Sequence, residues 1–174
     1  MNFALYSYIP KRKQRKASFE EKDLCRKIIG FKDGRNVYTR WAAYSMANVL
    51  AGNDLSDVCI VCIPASTHAA HVRRWKRFSR ILCTVTGAQN GFEHVNVFGN
   101  RKRAHVTHSY ELRTNIKHYV VIDKDFFDNR KVIVIDDIYT TGQSSRAFVE
   151  AMTRHGAKVV GTLFLAKTRR FVKQ

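Results

Sequence analysis

The chain has 174 residues, 45% of them hydrophobic, enough to bury one core of ordinary size, and a single domain over 1–174 is expected. Thirty-one Lys and Arg against 14 Asp and Glu give a net charge of +17, an excess that favours polyanionic partners: nucleic acid or phosphate-rich small molecules. No apolar run reaches membrane-spanning length, and Met1 to Pro10 lacks the basic-then-apolar order of a secretory leader, so a cytoplasmic protein with no membrane partner is expected. Cys25, Cys59, Cys62 and Cys83 sit in apolar or helical surroundings and read as reduced core thiols.

Residues 1–10 alternate loosely (Phe3, Leu5, Tyr6, Tyr8, Ile9) and predict an edge strand ended by Pro10. Lys11 to Lys16 is almost wholly basic, a solvated loop or a phosphate-backbone contact within a basic segment 1–18. Ser18, with Glu20 and Glu21 behind it, caps a predicted helix that runs to about Phe31 with Leu24, Ile28 and Phe31 on one face. A second helix, about Tyr38 to Gly52, is expected to turn Trp41, Tyr44, Ser45 and Val49 inward. Val58 to Ile63 predicts a buried strand broken by Pro64, and a long basic helix, about His68 to Gly87, follows.

The spacing Cys59-x-x-Cys62 with His68-x-x-His71 invites a zinc site. In a strand, however, residues 59 and 62 face opposite sides, and one tetrahedron cannot gather all four. From 90 to 115 the periodicity is weakest, and a flexible basic region is expected around Gly99 to Arg103, with His105, His108, Arg113 and Asn115 nearby. Short strands are predicted at Val95 to Phe98, Tyr119 to Asp123 and Val159 to Ala166, and a helix over Arg146 to Arg154. Helices alternating with short apolar strands imply an α/β fold, a parallel sheet with helices on both faces.

Lys131 to Ser145 carries the chemistry: Lys-Val-Ile-Val-Ile-Asp-Asp-Ile-Tyr-Thr-Thr-Gly-Gln-Ser-Ser. A buried strand ending in Asp136-Asp137 sets two acids at the carboxyl edge of a sheet, where open α/β folds keep their ligands. Thr140, Thr141, Gly142, Gln143 and Ser144 then bring hydroxyls and free N–H groups to a helix start, a ready anion site. A nucleoside-triphosphatase acid pair would require a Gly-x-x-x-x-Gly-Lys-Ser/Thr loop, which is missing. A phosphoacceptor aspartate would leave Thr-Thr-Gly-x-Ser unexplained.

This stretch resembles the phosphoribosyl-diphosphate (PRPP) signature of the type I phosphoribosyltransferases, a fold with a small hood and a flexible loop. The resemblance implies that Asp136 and Asp137 hold the ribose 2′- and 3′-hydroxyls, and that Thr140, Thr141, Gly142, Gln143 and Ser144 wrap the 5′-phosphate. By position, Pro64, Ala65, Ser66 and Thr67, with Arg101 and Arg103, are expected on the diphosphate side. The implied cofactor is Mg²⁺, held mainly by substrate oxygens with Asp136 and Asp137 as further ligands.

Phe31-Lys32, Val61-Cys62-Ile63-Pro64, Arg74 to Ser79 and Arg113-Thr114-Asn115 are similar in order to elements of the ComF branch, named for a competence protein of DNA uptake. That branch's first loop proline, Gly-Phe-Asn-Gln and amino-terminal zinc module are missing. In the family's 6-oxopurine enzymes an acid serving as base stands where Thr140 stands, and a threonine hydroxyl is no base at neutral pH. The resemblance implies phosphoribosyl transfer from PRPP to an unidentified nitrogen acceptor. Its rival is a non-catalytic relative acting in DNA uptake beside single-stranded nucleic acid, with Trp75 and Phe78 as the aromatics in its basic run. Acceptor and oligomeric state stay open.

Overall fold

The computed structural model describes residues 2–98 and 119–170. The expected loop at Gly99 to Arg103, with Arg101 and Arg103, and also His105, His108, Arg113 and Asn115 lie outside the described residues.

Strand β1 (Asn2–Tyr8) is followed by a 3₁₀ turn over Lys11–Lys16 with no buried residue. Helix α1 (Phe19–Lys32) starts at a capping box, with the Ser18 hydroxyl accepting from Glu21 N and Glu21 accepting from Ser18 N. Helix α2 (Asn36–Leu50) leads to β2 (Val58–Cys62), every residue of which is buried. The predicted long basic helix is a short α3 (His68–His71), a π turn (Val72–Lys76) and α4 (Arg77–Thr86). After β3 (Gln89–Asn90) come β4 (Val95–Val97), β5 (Val120–Ile122) and α5 (Lys124–Phe127). The chain continues through β6 (Lys131–Tyr139), α6 (Gln143–Arg154) and β7 (Lys158–Thr168).

Five parallel strands form the main sheet in the order β1-β7-β6-β2-β3. The parallel expectation fails at β4 and β5, which pair antiparallel in a separate two-stranded sheet. Side chains of β2 and β6 alternate between two cores. Ile60, Cys62 and Ile135 pack under α1, α2 and α4, whereas Cys59, Val61, Val132 and Val134 pack with α6 and the β4–β5 pair. Cys59 and Cys62 thus lie on opposite faces, and among the described residues no cluster of three or more potential ligands could hold a metal.

Phe31, Trp75 and Phe78 lie in the first core with ring centroids 5.1 to 5.4 Å apart, each fully buried. Burial of one such ring is worth about 2–3 kcal/mol. Trp75 and Phe78 therefore present no stacking surface to a nucleic acid. Helix α2 also departs from expectation: Tyr44 and Val49 are exposed, and Ala42, Ala43, Met46 and Ala47 form its buried stripe. Trp41 instead stacks on Tyr6 of β1, and Ser45 bonds the Tyr6 hydroxyl. Small side chains let α2 sit close to its neighbours, so the large ones are displaced to its flanks.

Candidate functional site

The carboxyl ends of β2, β6 and β7 meet at one edge of the sheet. Ile63 N donates to Ile135 O across the β2–β6 seam, which sets Pro64 beside the start of the acid pair. On the other flank the Thr140 and Thr168 hydroxyls lie 3.1 Å apart, tying the turn after β6 to the end of β7. The turns after these strands therefore share one rim, the ligand edge of an open α/β sheet.

The two acids differ in setting. Asp137 is only 4% exposed and turned toward α1 and the π turn. Its Oδ2 is 2.8 Å from Arg74 Nη1, an ion pair outside hydrogen-bond alignment, and its Oδ1 is 3.7 Å from Lys32 Nζ. Oδ1 also accepts from Ile138 N at 2.6 Å. Asp136 is half-buried and accepts from Asp137 N at 2.8 Å, with no ion pair among the described residues. Burial, and then the charge of Asp137, push the Asp136 carboxyl above the ordinary carboxylate range, against the Asp137 amide and the more distant Lys32 and Arg74 cations. Lys32 and Arg74 were not singled out as site residues from the sequence. They occur there only as letters of the Phe31-Lys32 and Arg74-Trp75 elements, far from the acids along the chain.

After the acids, Tyr139 ends β6 and Gly142 turns the chain with φ +76°. A Cβ on Gly142 would stand 2.6 Å from the Tyr139 hydroxyl, so conformation and space both demand glycine. Helix α6 begins at Gln143, three residues before the predicted start, and the Ser145 hydroxyl donates to Gly142 O. Thr140 and Thr141 are exposed, and Gln143 and Ser144 are half-buried. The first-turn amides of a helix have no acceptor inside it, so this loop offers N–H groups and hydroxyls to an anion.

Pro64 and Ala65 are buried, while Ser66 and Thr67 are half-buried. The Thr67 hydroxyl accepts from Ala70 N as the cap of α3, and Ala65 N points to His71 Nδ1 at 3.5 Å. Arg101 and Arg103, the other members of the expected diphosphate side, lie outside the described residues. With Asp137 engaged by cations, Asp136 is the carboxylate of the pair left open. That donor set suits a hard Mg²⁺ whose oxygens come mostly from the substrate, and not a resident protein cage.

Residues 94–171 match the family model of the phosphoribosyl transferase domain. A 60-residue stretch is 35% identical to an adenine phosphoribosyltransferase of Desulforamulus reducens, covering 34% of this chain and 35% of that relative. The chain thus matches about a third of the length of that curated relative. A crystal structure of a hypoxanthine phosphoribosyltransferase from Staphylococcus aureus is 17% identical with a TM-score of 0.33, covering 87% of this chain and 71% of its own. Among the described residues no helix is long and apolar enough to cross a membrane. The segment that resembles the phosphoribosyl transferase domain holds β6, the acid pair and the Thr140–Ser144 turn.

Proposed function

We propose that the chain is one domain that binds Mg²⁺-PRPP and transfers its phosphoribosyl group to a nitrogen acceptor, releasing diphosphate. One observation supports this above others. An acid that can hold hydroxyls and a helix-start turn that can hold a phosphate follow one another on a single strand end. Asp136 would accept from the ribose hydroxyls, and the turn from Thr140 to Ser144 would take the 5′-phosphate. Held at both ends, the sugar presents C1 to the acceptor nitrogen; the C–N bond forms as the bond to the diphosphate oxygen breaks. Mg²⁺, when bound, would neutralise charge on the departing diphosphate. Ser66 and Thr67, with Arg101 and Arg103, are assigned to that diphosphate.

The test is calorimetric titration of Mg²⁺-PRPP against ribose-5-phosphate. PRPP should bind more tightly, and Asp136→Asn should weaken it by about 30-fold or more, the worth of a hydrogen bond to a charged group. Equal binding of the two ligands would leave a phosphate pocket without a leaving-group site. No binding of either would end the proposal. The rival reading, a DNA-uptake partner, retains the exposed basic turn Lys11–Lys16 but not the stacking rings, since Trp75 and Phe78 are buried.

A further inference from the structure

The two acids of the signature sit next to each other in sequence but are held in different ways. We propose that they divide the work. Asp137 anchors the strand end and does not grip the sugar, Arg74 is the residue that positions it, and Asp136 alone meets the ribose hydroxyls. This rests on the PRPP reading above.

The geometry of Asp137 carries the argument. Successive side chains of a strand point to opposite faces. Asp137 follows Ile135 onto the face packed by α1, α2 and α4, where Oδ2 is ion-paired with Arg74 without a hydrogen bond, and Oδ1 accepts from Ile138 N with Lys32 Nζ 3.7 Å away. Arg74 is not a loose surface cation. It is 14% exposed, its Nε donates to Lys32 O at 2.9 Å, and its guanidinium lies 5.7 Å from the Trp75 ring. It stands in the middle of the π turn, the kind of wide turn that re-aims side chains at functional sites. The segment carrying Lys32 is pressed against the same turn. Gly34 has φ +74°, and a Cβ there would stand 2.7 Å from the Arg73 carbonyl. The acid, both cations and the two backbone segments form one locked unit.

Were Asp137 to release Arg74 for a pair of hydroxyls, a poorly exposed guanidinium would lose its counter-charge. The desolvation cost of that orphan exceeds what neutral hydroxyls return. Asp136 has no such partner among the described residues and can take the sugar without breaking an ion pair. Lys32 and Arg74 both precede the segment 94–171 that matches the family model, so the anchor joins the signature to the rest of the chain.

The experiment is a double-mutant cycle on the full chain with Arg74→Gln, Asp137→Asn and the pair, alongside Asp136→Asn. Urea unfolding is read first and needs no ligand. The two single changes should each destabilise, and the pair should recover most of the loss, with a coupling of about tenfold in the unfolding constant. Additive effects would overturn the anchor. The Kd of Mg²⁺-PRPP is read second. The neutral pair should bind within about threefold of the unaltered chain, while Asp136→Asn loses about 30-fold or more. Loss in the neutral pair equal to that of Asp136→Asn would show that Asp137 grips the sugar after all. If the neutral pair does not fold, Arg74→Lys keeps the charge; there Kd should stay within about threefold, and a larger loss in a folded protein would count against the proposal. Should the unaltered chain bind no PRPP, the functional proposal fails, and the coupling in urea alone decides whether Asp137 is anchored.

Discussion

His71 is 3% exposed, stacked on Phe92 at 5.1 Å, with Nδ1 facing Ala65 N. Burial first, then the charges of His68 and Arg74, push its imidazolium pKa down to about 4. An unfolded histidine titrates near 6.5, so between about pH 6.5 and 4 the unfolded chain takes up a proton that the folded one refuses. Stability must fall as pH drops through that window, by about 3 kcal/mol over its full width. His71→Gln should flatten the pH dependence of the urea midpoint there; an unchanged slope would place the titration elsewhere. The acid pair shows what a sequence hides at this scale. Asp136 and Asp137 look equivalent in the string, and their place on the signature strand was legible, although the strand runs past them to Tyr139. Which one is engaged depends on Lys32 and Arg74, brought in by folding from distant parts of the chain.

At the scale of elements, α1 rests on a local device, the reciprocal bonds of Ser18 and Glu21, and Glu21 also meets Arg169 at 2.7 Å. Ser18→Ala should cost about 1 kcal/mol and lower Tm by about 2–4 °C, measurable by thermal denaturation. Local signals of this kind made α1, β2, β6 and β7 readable, because caps and apolar runs act within a few residues. The buried stripe of α2 was not readable, since it is built from Ala42, Ala43, Ala47 and Met46 while the larger apolar residues sit at its edges. Nor was the antiparallel pairing of β4 with β5, strands of three residues each whose partnership is non-local. The π turn was hidden for a third reason. It interrupts a helix with good helix-forming residues, and Arg74 in its middle lies 2.8 Å from Asp137, a partner distant in the chain.

For the whole molecule, the four cysteines report how closed the two cores are. All are free and buried, and burial pushes the thiols of Cys59 and Cys83 up to about 12 and that of Cys62 well above its ordinary value. The thiolate is the reactive form, so the native protein should resist a thiol reagent such as dithionitrobenzoate at pH 8. All four should react once urea unfolds the chain, and a fast native burst would reveal an opened core. The order of the strands has a further consequence, for the way the protein is made. β1 is synthesised long before its hydrogen-bonding neighbour β7, which follows every other strand of the sheet in the chain. β6 likewise stays open along one edge until β7 arrives. Long loops must close before these contacts form, which slows folding. A nascent chain therefore carries the whole acid-and-threonine stretch outside the ribosome before it owns a sheet edge on which to use it. The rim that carries Thr140 is complete only after Thr168 has been joined to it.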